Sequence, residues 1–250
     1  MITRRDILKG GLATLTVPYI GRGDPRRSML GAVETGEDCS REWVNPYITE
    51  GLVSMIDGIE NYDRGNESRV LRDIVTGYEA YIPNAWIVNN DSIDVTNTQA
   101  LQFTDCVLEE DFTVEYIVSF LDDNTVRECA LENITANASI RIKKTSQCSA
   151  QFAGSNLLLN TVEVGVPFCY SISYEEERRP KAIAYVNGRY SNSISFGHSM
   201  AGRYGNGFRI GRNGYTTYQR VYGIRIYNRA LTEEEIVFNH EIDVERFGIE

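Results

Sequence analysis

The chain has 250 residues, with 25 Lys and Arg against 35 Asp and Glu, a formal charge of −10, and 42% hydrophobic and 24% charged residues. That length supports a core of its own, and the composition is that of an ordinary globular chain, which excludes collagen, coiled coil and wholesale disorder. No run approaches the roughly 18 consecutive apolar residues of a membrane-spanning helix, and so negative a chain repels the phosphate backbone of a nucleic acid.

Residues 1–42 read as a basic lead, since residues 1–30 hold six basic against two acidic groups. Thr3-Arg4-Arg5-Asp6-Ile7-Leu8-Lys9 resembles a twin-arginine export signal. The apolar stretch after it is short and interrupted by Thr and Pro, and Arg22, Arg26 and Arg27 follow without a clean small-x-small cleavage site. Two readings stand: an export signal, or a short basic arm that is disordered or docks on a partner assembly.

Residues 43–250 read as one domain with period-two patterning. Strand candidates in chain order are 52–57, 85–88, 100–103, 112–120, 127–132, 139–143, 168–174, 181–186, 189–195, 208–212 and 219–227. In Phe112-Thr113-Val114-Glu115-Tyr116-Ile117-Val118-Ser119-Phe120 every even position is apolar and most odd ones are polar. Successive side chains of a strand point to opposite faces, so this pattern predicts one buried and one wet face. Asn187-Gly188 between two such runs predicts a tight hairpin. Asn89-Asn90-Asp91, Asp122-Asp123-Asn124 and Gly205-Asn206-Gly207 supply further turns. Many short strands without alternating helices predict an all-β antiparallel sandwich.

One helix closes the chain. Thr232-Glu233-Glu234-Glu235 is a capping box, and the spacing of Leu231, Ile236 and Phe238 predicts packing on the sandwich edge. The five cysteines (Cys39, Cys106, Cys129, Cys148 and Cys169) form no CxxC pair, and only His198 and His240 accompany them, so neither a zinc site nor a redox pair is signalled.

Tyr222-Gly223-Ile224-Arg225-Ile226-Tyr227-Asn228-Arg229-Ala230-Leu231-Thr232-Glu233-Glu234-Glu235-Ile236, preceded by Phe208-Arg209-Ile210-Gly211-Arg212-Asn213, resembles the closing strand and helix of laminin-G-like (concanavalin A-like) jelly-roll domains. Ile172–Tyr174 with Ala182–Gly188 is similar to that family's central hairpin, and Gly51–Asn61 to its opening strand. The likeness covers about residues 43–247. It implies a jelly-roll β-sandwich with a short C-terminal helix. The opening and the tail Asn239–Ile249 resemble proteins of gut bacteria and their phages, which implies an adhesive surface or virion protein. Jelly rolls also host hydrolases and pure assembly modules, so an assembly module without a sugar ligand is the alternative.

Glu241-Ile242-Asp243-Val244-Glu245 has the E-x-D-x-E spacing of a jelly-roll glycoside hydrolase family, in which the outer carboxylates serve as nucleophile and acid/base. On a strand all three would share a face, but this stretch follows a capped helix, and a continuing helix would separate Glu241 from Asp243 by about 200°. Binding is therefore the expected activity, with glycoside hydrolysis through Glu241, Asp243 and Glu245 as a further alternative. The segment 203–220 supplies the candidate carbohydrate-binding residues Tyr204, Asn206, Arg212, Asn213, Tyr215 and Tyr218, because aromatic faces stack on a pyranose while Asn and Arg read its hydroxyls. Calcium is a candidate ion, with Asn89-Asn90-Asp91 and Asp122-Asp123-Asn124 as its oxygen-rich turns. The expected partners are a cell-surface glycan and other virion or surface proteins.

Overall fold

The computed structural model describes residues 44–63, 69–96, 98–104, 110–121, 127–133, 139–144, 148–152, 155–158, 162–195, 207–212 and 217–249. The chain is an antiparallel β-sandwich with one substantial helix at its C-terminal end. In chain order come β1 (Leu52–Asp57), α1 (Gly58–Asp63), β2 (Val70–Arg72), β3 (Glu79–Tyr81), β4 (Ile87–Val88), β5 (Ile93–Val95), β6 (Ala100–Thr104) and β7 (Phe112–Phe120). Then follow β8 (Arg127–Asn133), β9 (Ser139–Lys144), β10 (Cys148–Phe152), β11 (Ser155–Leu158), β12 (Phe168–Tyr174), β13 (Ala182–Val186), β14 (Arg189–Ile194), β15 (Phe208–Gly211), β16 (Gln219–Tyr227) and α2 (Glu233–Phe247).

Eight strands form one sheet in the order β14-β13-β12-β7-β16-β5-β4, with β1 paired to the C-terminal half of β16. Six form the other, β11-β10-β9-β8-β15-β6, and β2-β3 make a separate two-stranded ribbon. The core lies between the two large sheets. Phe112, Val114, Tyr116, Val118 and Phe120 from β7 meet Leu101 and Phe103 of β6, Cys129 and Leu131 of β8, Ile140 and Ile142 of β9, and Phe208 and Ile210 of β15. The expected hairpin turn is present, with Asn187 and Gly188 both at positive φ (49° and 68°), the geometry a two-residue turn requires.

Two sequence expectations need correction. The polar positions of β7 are not wet: Thr113, Glu115 and Ser119 are as buried as the apolar ones, because α2 and the C-terminal residues lie across this face. The closing strand does not alternate evenly either. A bulge between Val221 and Gly223 of β16 shifts its phase, so Val221 and Ile224 both reach the core while Tyr222 and Arg225 face α2. The predicted strand 52–57 is β1 as observed, and beyond it the Asp57 carboxylate accepts from Glu60 N at 3.0 Å and starts α1.

The helix begins as its sequence requires. Thr232 Oγ1 accepts from Glu235 N, and the Glu235 carboxylate reaches back to Thr232 N. Leu231 and Ile236 are buried, but Phe238 is 45% exposed and faces away from the sandwich. The residues that face the sheet are instead Ile236, Asn239, Asp243, Arg246 and Phe247.

Candidate functional site

The outer face of the eight-stranded sheet carries a fully buried charge network. Arg225 of β16, 1% exposed, donates Nε to Glu115 Oε2 at 2.7 Å, and Nη1 and Nη2 to the two oxygens of Asp243 on α2 at 2.7 and 2.5 Å. Asn239 Nδ2 donates to Glu115 Oε2 and to the Tyr227 hydroxyl, both at 2.9 Å, while its Oδ1 accepts from Ile48 N. The Tyr47 ring stacks on the Arg225 guanidinium at 4.0 Å. A second buried pair, Arg246 with Asp57 at 2.9 Å, ties the end of α2 to β1. Apolar clusters flank this array: Ile59, Ile117, Cys169, Tyr222, Phe247 and Ile249 on one side, and Tyr185, Tyr227, Leu231 and Ile236 on the other.

Burial pushes the Glu115 carboxyl above the usual carboxylate range, against the pull of Arg225. Burial also pulls His240 below the ordinary imidazole value. Its ring packs against the Asn187-Gly188 turn, and a Cβ placed on Gly188 would meet its Cδ2 at 2.9 Å. This array is an architectural seal, because its charged groups are consumed by one another in a space closed to solvent.

The seal absorbs the middle of the E-x-D-x-E motif. The stretch is helical, so Asp243 points into the Arg225 pair while Glu241 and Glu245 stand exposed on the far side of α2. The three carboxylates therefore share no cleft.

Of the six candidate sugar-binding residues, Arg212 and Tyr218 are described, while Tyr204, Asn206, Asn213 and Tyr215 lie outside the described residues. Arg212 Nε pairs with Glu132 Oε1 at 3.0 Å. Arg209 grips the other oxygen of the same carboxylate at 2.7 and 3.0 Å, and Arg141 approaches Oε1 at 3.3 Å. Arg212 thus helps to neutralise Glu132 on the outer side of the six-stranded sheet. Tyr218 is half-buried, and its carbonyl accepts from Leu121 N. The calcium candidate Asn89-Asn90-Asp91 closes on itself, with Asn89 Nδ2 donating to Ser92 Oγ and Asp94 Oδ1. The other, residues 122–124, lies outside the described residues, as does the basic lead. Cys129 and Cys169 are buried free thiols.

Sequence reasoning missed the aromatic surface that the structure does present. Tyr81 on β3 is 81% exposed, and Tyr62, Tyr78 and Tyr190 are exposed as well. Tyr62 sits in the short α1, and the three-residue strands β2 and β3 are too brief to show a period.

No family model and no curated protein sequence matches the chain. Among solved structures it is similar to Trypanosoma rangeli sialidase, at 15% identity and a TM-score of 0.58 over 78% of this chain and 33% of that one. The same sialidase in complex with sialic acid aligns at 15% identity and a TM-score of 0.54, over 77% of this chain and 33% of that one. A point mutant of HCR/D aligns at 11% identity and a TM-score of 0.59, over 78% of this chain and 52% of that one. The chain therefore spans about a third to a half of the proteins it matches. These likenesses establish the β-sandwich fold.

Proposed function

We propose that this chain is a non-catalytic carbohydrate-binding module of laminin-G-like type, which attaches a bacterial surface or a virion to a cell-surface glycan. The observation that carries the reading is the exposure of Tyr62, Tyr81 and Tyr190 on helix or strand, and of Tyr78 in the turn before β3, in a fold whose other described tyrosines mostly serve the interior. Exposed aromatic rings beside charged groups are the chemistry that holds sugars. The dispersal of Glu241, Asp243 and Glu245 speaks against hydrolysis through the E-x-D-x-E carboxylates, since that chemistry needs two carboxylates flanking one bond. The sialidase neighbour complexed with sialic acid fits this reading. The twin-arginine-like head fits an exported or surface location.

A second reading, an assembly module without a sugar ligand, draws on Phe238 and Val244, 45% and 39% exposed on the outer side of α2. A printed glycan array probed with and without calcium separates the two. Binding to a defined class of glycans is the expected result, and an array dark under both conditions favours assembly.

A further inference from the structure

The β2-β3 ribbon is held with unusual firmness for two three-residue strands. Leu71 and Ala80 anchor its inner face in the core. The Asn61 side chain bonds both to Arg72 N at 2.7 Å and to Arg72 O at 3.0 Å, closing the free edge of β2. Asp73, fully buried, accepts from Ser54 Oγ, Met55 N, Val75 N and Thr76 N at 2.6–3.1 Å and so fixes the connecting turn. Arg69 donates to the carbonyls of Pro83 and Trp86 at 2.6 and 2.8 Å, and Ile82 N bonds to Arg69 O, which locks the base.

What this frame holds out to solvent is chemically mixed. The register pairs Val70 with Tyr81 and Arg72 with Glu79, so these four share the outer face. Tyr81 is 81% exposed, and Arg72 and Glu79 are exposed too. Although Arg72 and Glu79 face each other, no ion pair joins them, and neither side chain nor the Tyr81 hydroxyl is hydrogen-bonded among the described residues. The Arg72 guanidinium lies toward the turn, with Nη2 3.7 Å from where a Gly77 Cβ would stand. The surface strip thus runs from an aromatic face, past a carboxylate about 7 Å along the strand, to a guanidinium over the turn. No described residue bonds to these side-chain groups, and the ribbon that carries them is pre-ordered, so a ligand meets little ordering cost.

We propose that Tyr81, Glu79 and Arg72 form a sugar-binding platform, with the C–H face of a pyranose stacked on Tyr81 and its hydroxyls donating to Glu79 and accepting from Arg72. This rests on the carbohydrate-binding reading and assigns it a site distinct from the segment 203–220. A phenol ring supplies the flat apolar face, the carboxylate accepts without competing donors, and the guanidinium donates without competing acceptors.

The test uses the full chain on a printed array of neutral and acidic oligosaccharides, in a dilution series, as wild type and as Tyr81→Ala, Tyr81→Trp, Glu79→Gln and, as a control on the exposed first turn of α2, Glu234→Gln. On the spots the wild type binds, Tyr81→Ala is expected to raise the half-saturating concentration about tenfold. Tyr81→Trp keeps binding because the stacking face remains, Glu79→Gln weakens it, and Glu234→Gln leaves it unchanged. Thermal midpoints of the Tyr81 variants are expected to match wild type, since the side chain is outside the core. Wild-type binding that survives Tyr81→Ala overturns the platform while leaving the glycan reading intact. An array that the wild type leaves dark overturns both.

Discussion

Replacing Arg225 with Met tests whether the C-terminal helix seals the sheet as described. In the native fold the guanidinium is 1% exposed and meets two fully buried carboxylates, Glu115 and Asp243. Methionine keeps most of the side-chain volume but strands both anions, and it removes the cation stacked on Tyr47. Glu115 keeps the Asn239 amide as partial compensation, whereas Asp243 loses both of its hydrogen bonds. Removing one partner of a buried ion pair costs about 3–5 kcal/mol, and two orphaned carboxylates place this variant toward the upper end. Urea unfolding followed by the fluorescence of buried Trp86 reads the change. With a slope of about 3 kcal/mol per molar, the midpoint should fall by about 1–2 M. Acidity then provides an internal check. The folded-state pKa of Glu115 is raised, so the stability gained from its protonation is complete below the ordinary Glu value and is lost as pH rises through the folded value. Loss of Arg225 removes the influence that lowers it, so the deficit of Arg225→Met should shrink as pH falls from neutral toward that window. A variant within about 0.5 kcal/mol of wild type at pH 7 would refute the sealed array.

Other outcomes follow from single contacts. His240 has a lowered folded-state pKa, so its contribution is present above the ordinary His value and lost as pH falls through the folded one. His240→Phe should flatten the acid side of a thermal-midpoint profile below about pH 6.5 and change little at pH 8. Gly188→Ala places a Cβ at φ 68° and 2.9 Å from His240, and should cost about 1–2 kcal/mol by chemical denaturation. Gly58→Ala is more severe: its Cβ would lie 2.1 Å from the Asp91 carbonyl oxygen, and soluble yield with a native circular-dichroism spectrum is expected to collapse. Thr232→Ala removes half of the capping box and should lower stability by about 1 kcal/mol.

Much of the sandwich is legible in the sequence because its long strands announce themselves. The bounds of β1, β7, β12 and β16 coincide with their apolar runs, and both Asn187-Gly188 and Thr232–Glu235 declare their geometry through local chemistry alone. The covered face is not legible. Thr113, Glu115 and Ser119 carry the pattern of a wet surface, and the groups that compensate Glu115 lie 110 and 124 positions further along the chain. No local pattern reports that Arg225 and Asp243 will meet there. Phe238 misleads for a related reason: the inward stripe of α2 is set by Asn239, Asp243 and Arg246, which a hydrophobic count scores as solvent-facing. The candidate site fares similarly. Arg212 reads as a free sugar ligand until Glu132, eighty residues earlier, is found beneath it. Tyr81 gives no signal because an exposed ring on a three-residue strand matters only through the braces around it.

The sandwich is proposed to hold a glycan without cleaving it. Incubating the full chain with the oligosaccharide that gives the strongest array signal, and following it by saturation-transfer NMR over a day, tests this most directly. Saturation reaching the sugar ring protons, with no new reducing-end anomeric signals, is the predicted result. Absence of transfer, or growth of cleavage products that Glu241→Gln or Glu245→Gln abolishes, would contradict it.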